Sequence, residues 1–285
     1  MLSISGSSGF IGSELIDTFT GTGWTFRIIN RESFSMSDDE FMEKKIEGAD
    51  AVINLAGAPI LHRWTESYRK EIYDSRIGTT RKIARAILNA HVKPKVFFSV
   101  SAIGIYDSVN VHDEESLGLS DDFLGKICQD WEAEAMAVRD QTRIVILRTG
   151  VVLSSKGGAL KKAYGPFRFG FGGVIGDGRQ AFSWIHIRDL MRIYRFLLEN
   201  ENISGIVNAV APNPTTNVHF TKTLGKVLTQ PTVFKVPGSV LRLVYGDAAI
   251  TLTEGQNAVP GKLLKNGFEF EFPTIEKALL NLYRI

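Results

Sequence analysis

The run Gly6-Ser7-Ser8-Gly9-Phe10-Ile11-Gly12 stands between a short apolar segment, Leu2-Ser3-Ile4-Ser5, and a helical run that continues to Phe19. The first glycine permits a tight strand-to-helix turn. The second lets backbone N–H groups approach a bound group, and the third lets the helix pack close to the sheet. A helix that starts this way offers unsatisfied N–H groups and the positive end of its dipole to an anion. The Ser7 and Ser8 hydroxyls can add donors. Gly21 and Gly23 end the helix and residues 24–29 read as a second strand, which makes a βαβ unit. The turn is a candidate cradle for a dinucleotide pyrophosphate; the alternative is an ordinary glycine-rich turn.

Apolar and helical segments go on alternating. Ser37 is placed to cap a helix with Asp38, Asp39 and Glu40 in its first turn, Lys44 and Lys45 near its end and Gly48 just past it. Residues 51–55 read as a strand closed by Ala56-Gly57. Residues 67–90 carry a helical pattern with Ile72, Arg76, Thr79, Ile83 and Ile87 on one face, and residues 95–99 follow as a strand. A helix over 123–139 and a strand over 143–147 complete the alternation. This order predicts an α/β fold of the Rossmann type, a doubly wound parallel sheet. From Ser154 the pattern loosens. Residues 154–182 are glycine-rich and read as loops over the C-terminal edge of the sheet. Helices are expected over 189–199, 217–228 and 274–283, with a strand or linker over 231–237. The chain divides into a Rossmann core (1–153), the rest of the core interleaved with substrate-side loops (154–236), and a small C-terminal domain (237–285) that gives a smaller substrate-side lobe.

The 33 Lys and Arg against 31 Asp and Glu leave a net charge of +2, which argues against a nucleic-acid partner. No apolar run approaches the ~20 residues of a membrane span, and no basic segment precedes the first strand as a secretory leader requires. Neither a membrane partner nor a leader is expected. Cys128 is the single cysteine, so an internal disulfide and a cysteine-rich metal site are excluded. No metal is expected. A reducing compartment, cytoplasmic or an organelle matrix, fits.

Two cations bear on the ligand. NAD-binding turns of this kind place Asp or Glu at the end of the second strand to accept from the ribose 2′-OH. Here that place reads Ile28-Ile29-Asn30-Arg31, with Glu32 one residue later. A guanidinium suits a 2′-phosphate by charge and paired hydrogen bonds, so Arg31 favours NADP; its other reading is a solvated surface arginine. Arg76 lies in the apolar stripe of its helix. It must find a partner or snorkel out, and the residues alone leave both open.

These features, with Asp50-Ala-Val-Ile-Asn-Leu-Ala-Gly57, Ser99-Val-Ser-Ala-Ile-Gly-Ile-Tyr106, Arg148-Thr-Gly-Val-Val-Leu153 and Trp184-Ile-His-Ile-Arg-Asp-Leu190, resemble the extended short-chain dehydrogenase/reductase superfamily. Arg63-Trp64, Ser75-Arg76, Asp130-Trp131-Glu132, the glycine-rich stretch 170–178 and a C-terminal domain of unknown role from about Pro237 narrow the resemblance to its atypical, NADP-binding epimerase-family subgroup. The resemblance spans essentially the whole chain. It implies that Gly6, Ser8, Gly9, Phe10, Ile11 and Gly12 hold the pyrophosphate and that Asn30 and Arg31 hold the ribose phosphate. It places Leu55, Ala56, Gly57, Glu71, Arg76 and Val152 around the rest of the cofactor. A homodimer is compatible with it.

The resemblance also implies a proton-transfer set of Ser or Thr with Tyr-x-x-x-Lys. Ser101 matches the serine and is the candidate catalytic residue. With Glu132 aligned on the glutamate usual on the catalytic helix, the tyrosine and lysine positions fall at Leu124 and Cys128. Leu124 has no proton to give, Lys126 is on another face, and Cys128 is a packing residue. Tyr106, Asp107, Tyr164 and His186 are further acid/base candidates without an assigned role. His186, between Ile185 and Ile187, reads as a satisfied core histidine; Trp184 is a pocket wall or a core aromatic. Two functions are compatible: an NADP-dependent oxidoreductase or sugar-nucleotide-type epimerase acting on a small molecule, and a cofactor-binding sensor or scaffold with little or no catalysis.

Overall fold

A computed structural model describes residues 1–35 and 39–283. Six strands form the main sheet: β1 (Leu2–Ser5), β2 (Phe26–Ile29), β3 (Ala51–Asn54), β4 (Val96–Ala102), β5 (Arg143–Thr149) and β6 (Gly205–Ala209). All pair in parallel, in the order β6-β5-β4-β3-β1-β2. β1 and β3 are buried along their whole length, as expected for a sheet covered on both faces. The chain moves from β1 to β2 on one side and then back across to β3. That reversal opens a crevice at the carboxyl ends of β1 and β3, where such sheets take their ligands.

The longer α-helices are α1 (Phe10–Phe19), α2 (Asp39–Ile46), α3 (Glu66–Tyr73), α4 (Thr79–Asn89), α5 (Phe123–Met136), α6 (Gly158–Arg168), α7 (Ile187–Glu199), α8 (Asn217–Val227), α9 (Gly238–Tyr245) and α10 (Ile275–Tyr283). On one face Leu15 and Phe19 of α1 join Leu190, Ile193 and Leu197 of α7 over Ile4, Ile53 and Phe98. On the other, Met42 and Ile46 of α2, Ile83 and Ile87 of α4 and Ala135 of α5 cover Val52, Phe97 and Ile144. The Ser37 cap and Asp38 lie outside the described residues; Gly48 closes α2 at φ +65°.

Two departures from the sequence reading have local causes. The helical stretch over 67–90 is interrupted by a π turn at Asp74–Gly78, a geometry that aims side chains differently from an α-helix. Residues 154–182 are not all loop, since α6 occupies Gly158–Arg168 with Leu160 and Phe167 buried. Its apolar spacing is hidden among glycines needed for other reasons: a Cβ on Gly157 would lie 2.4 Å from the Phe10 ring, and Gly158 has φ +71°. Pro166 sits inside the helix near its end.

The C-terminal residues are woven into the core. Asn257–Ala258 pairs with Val111–His112, and Leu263 and Phe268 join the main cluster. Phe272, Ile275 and Leu279 close a satellite core around Trp184, which is fully buried as a core aromatic. Among the described residues no helix is long and apolar enough to cross a membrane, and no cluster of metal-ligating side chains occurs.

Candidate active site

The β1–α1 turn is built without room to spare. Gly6 adopts φ +69°, and a Cβ there would lie 2.8 Å from the Leu55 carbonyl. A Cβ on Gly12 would meet the Gly6 oxygen at 2.3 Å. The Gly9 N–H donates to the Gly6 oxygen at 3.0 Å, and Gly9 caps α1 without any side-chain bond. The first-turn N–H groups of α1 are thus left to an outside acceptor. Ser8 and Gly9 are exposed, and Phe10 and Ile11 are half-buried.

The β3 end lies beside it because Ser5 and Asn54 are register partners. A buried polar relay fixes the two strand ends. Ser5 Oγ donates to Asn54 Oδ1 (2.5 Å), and the Asn54 amide donates to Thr80 Oγ1 (2.8 Å). Trp131 Nε1 donates to the same hydroxyl (2.8 Å), and the Ala56 N–H closes on Asn54 Oδ1 (3.3 Å). The relay was not anticipated from the sequence; the polar residues Ser5, Asn54 and Thr80 in otherwise apolar segments are its one signal.

The π turn delivers Arg76 to this crevice. Its guanidinium donates to the Ala58 and Ile72 carbonyls (2.9 and 3.3 Å) and lies over the Trp131 ring. A Cβ on Gly57 would meet it at 3.2 Å. Arg76 is 9% exposed and has no carboxylate partner among the described residues; burial pulls its pKa below the usual arginine value. The neighbouring Ser75 hydroxyl accepts from the Ala58 N–H (3.0 Å). Val152 lies on the short strand Val151–Leu153, packed in the same cluster as Phe10. At the end of β2, Asn30 accepts from the Ser33 N–H and hydroxyl (3.1 and 2.7 Å) and caps a short helix, Arg31–Ser35, with Arg31 exposed at its start. Glu71 is exposed on α3. Of the predicted cofactor residues, the glycine turn, Leu55–Gly57, Arg76 and Val152 come together; Asn30, Arg31 and Glu71 stand in the open.

The β4 end is different. Ser101 is buried and donates to Glu132 Oε1 at 2.7 Å. Arg148 grips both Glu132 oxygens at 2.9 and 2.7 Å and lies over the Tyr106 ring. The Tyr106 hydroxyl is 2.9 Å from both the Asp113 carbonyl and Asn208 Oδ1. Burial raises the Tyr106 pKa and pushes the Cys128 thiol up to about 12. Asp107 caps the Val109 and Asn110 N–H groups, which hold its carboxyl down at about 2. His186 is buried against Phe272, its Nδ1 accepting from the Arg188 N–H. Burial and then the Arg188 charge depress its pKa to about 4. Tyr164 stacks on Tyr283.

Leu124 faces a cavity of about 840 Å³ between the core and the residues after 237. Trp64, Phe123 and Ile250 supply apolar wall, and both signs of charge are present, Arg63, Arg69 and Arg242 against Asp122, Asp247 and Glu254. Arg69 pairs with Asp247 at 2.6 Å and lies over Trp64 and Phe123. Arg63 donates to the Leu243 carbonyl at 3.2 Å.

Comparison with known proteins agrees with this architecture. Residues 2–209 match the NAD dependent epimerase/dehydratase family and residues 236–282 match a domain of unknown function, DUF1731. The mouse epimerase family protein SDR39U1 is 38% identical over 284 residues, covering 97% of each chain. A chloroplastic homologue from Arabidopsis thaliana is 34% identical, covering 98% of this chain and 85% of its own. The crystal structure of human SDR39U1 (isoform 2) with NADPH superposes with a TM-score of 0.92 at 35% identity, covering 99% of this chain and 98% of that one. The chain therefore belongs to the NAD dependent epimerase/dehydratase family, in the atypical extended short-chain dehydrogenase/reductase subgroup that carries a DUF1731 domain.

Proposed function

We propose that this chain binds NADP(H) and acts as an oxidoreductase of the short-chain dehydrogenase/reductase class on a small molecule. The observation that carries the reading is the crevice between β1 and β3. It joins uncapped helix N–H groups to a buried arginine that, among the described residues, no carboxylate neutralises. The residues fit the group. The close approach of Gly6 and Gly12 to their neighbours leaves the α1 N–H groups to the pyrophosphate. Asn30 and Arg31 would hold the 2′-phosphate. Leu55, Ala56, Gly57, Arg76 and Val152 would wall the remainder, with Glu71 at the rim. The human relative solved with NADPH supports the choice of NADP.

Bound cofactor supplies the hydride donor or acceptor. This chain's own groups orient the substrate. Ser101 has committed its proton to Glu132, so toward a substrate oxygen it can only accept, and it would hold a hydroxyl by that hydroxyl's own proton. Leu124 cannot take the proton onward, and a thiol with a pKa of about 12 stays protonated at neutral pH. The proton released when the hydroxyl is oxidised, or taken up when the carbonyl is reduced, would therefore exchange with water, and the substrate would lie in the cavity beside Leu124.

A second reading, cofactor binding without turnover, is favoured by the way Ser101, Glu132 and Arg148 satisfy one another. One assay separates the two. NADPH is mixed with the protein and a panel of aldehydes, ketones and sugar nucleotides, and its absorbance is followed. The first reading expects consumption that drops at least ~10-fold in Ser101→Ala, the scale of a lost positioning hydrogen bond. Tight NADPH binding with no consumption across the panel selects the second reading. Absence of binding overturns both.

A further inference from the structure

Four large apolar side chains stand in the open on two adjoining turns. Phe169 and Phe171 follow α6 and are 72% and 68% exposed; Val233 and Phe234 are 77% and 48% exposed. The turns are stitched together by the parallel pairing of Gly173–Ile175 with Phe234–Val236, and the Phe171 and Phe234 rings lie 6.1 Å apart. The chain then enters α9, which buries none of its residues and shows Val240, Leu243 and Val244 to solvent. Exposed apolar residues gathered this way mark an interaction surface.

The charge of the same segments is one-sided. From residue 141 to 176 and from 202 to 246 the sequence has no Asp or Glu, although the whole chain is nearly balanced at +2, and the aspartates that follow these stretches, Asp177 and Asp247, are paired with Arg179 and Arg69. Lys161, Lys162, Arg168, Lys226, Lys235 and Arg242 are exposed there. None of the six forms an ion pair among the described residues. We propose that this aromatic, cationic face docks on the surface of an anionic lipid bilayer.

The chemistry of this face favours that occupant over others. A second copy would press cations against cations, which costs free energy. A nucleic acid would answer the cations but leave Val233, Leu243 and Val244 without a partner. A bilayer takes both: aromatic and aliphatic tips enter the headgroup boundary while lysines and arginines meet anionic headgroups. Docking of this kind needs no spanning helix. The expectation of no membrane partner came from the lack of a long apolar run, and that does not bear on an interfacial contact assembled from separate turns. The proposal is independent of the cofactor reading.

The test is co-sedimentation of the full chain with vesicles of pure phosphatidylcholine and of phosphatidylcholine mixed with phosphatidylglycerol. Binding is expected only to the mixed vesicles, and high salt should loosen it ~10-fold or more. The pair Phe169→Ser/Phe171→Ser and the pair Arg168→Glu/Lys235→Glu should each weaken it by about the same factor. Both pairs should keep the parent melting temperature and NADPH affinity. The proposal is overturned by no binding to mixed vesicles, by equal binding to both kinds, or by binding that neither pair of substitutions weakens. It is overturned equally if the serine pair dissolves a dimer, or the glutamate pair abolishes oligonucleotide binding, in a protein that ignores lipid.

Discussion

The ends of β1 and β4 lie at the same edge of one sheet and treat their polar groups in opposite ways. After β1, the turn at Gly6–Gly12 leaves α1 uncapped, and nearby Arg76 is buried with backbone carbonyls as its hydrogen-bond partners. After β4, Ser101, Glu132 and Arg148 close on one another. An uncapped helix end has donors to give an anion. A closed ion pair has already met its desolvation cost internally. One end is arranged for a ligand that the chain itself does not supply, while the other stabilises the joint between β4, β5 and α5.

The sharpest way to break this contrast is to open the closed end. Glu132→Ala leaves Arg148 buried without its partner, a change expected to cost about 3–5 kcal/mol. Glu132→Gln should cost less, because the amide oxygen still accepts from Ser101 or Arg148. Urea denaturation of both variants measures this. A loss under about 1 kcal/mol for the alanine variant would mean that the cluster is solvated rather than closed.

His186 gives the next largest effect. Its folded pKa of about 4 lies below the ordinary value of 6.5, so the unfolded chain takes up the proton first as the pH falls. The stabilising contribution is full above about pH 6.5 and is lost as the pH drops toward 4, a total of order 3 kcal/mol. His186→Gln should flatten the stability profile in that window and leave NADPH affinity at neutral pH unchanged. An equally steep profile in the variant would place the proton uptake on another group.

Legibility in the sequence follows the same divide. The β1–α1 turn is written in consecutive residues, since the glycine spacing, the strand before it and the helix after it form one local unit. Sheet order and the crevice follow from the alternation of strands and helices. Arg76 stands out as a charge in an apolar stripe, but its place against Gly57 and Ala58 depends on a π turn, for which the periodicity gives no sign. The closed cluster joins residues from β4, α5 and β5, with Ser101 31 positions from Glu132 and Glu132 16 from Arg148, so nothing local announces it. Helix α6 was obscured because Gly157 and Gly158 answer to the distant ring of Phe10.

The smallest predicted effect sharpens the open end by asking how its outer rim chooses between cofactors. Arg31 begins the short helix that Asn30 caps, exposed and with Glu32 beside it. Arg31→Asp should remove a charge-assisted contact worth roughly 1.5–3 kcal/mol, about ten- to a hundred-fold in affinity. The loss should fall on NADPH and spare NADH, because NADH has no 2′-phosphate and an aspartate can accept from its free 2′-hydroxyl. Calorimetric titration of both cofactors decides it. Equal losses would show that Arg31 acts on the pyrophosphate field as a whole; no loss would make it a solvated surface arginine and move the selection to Asn30.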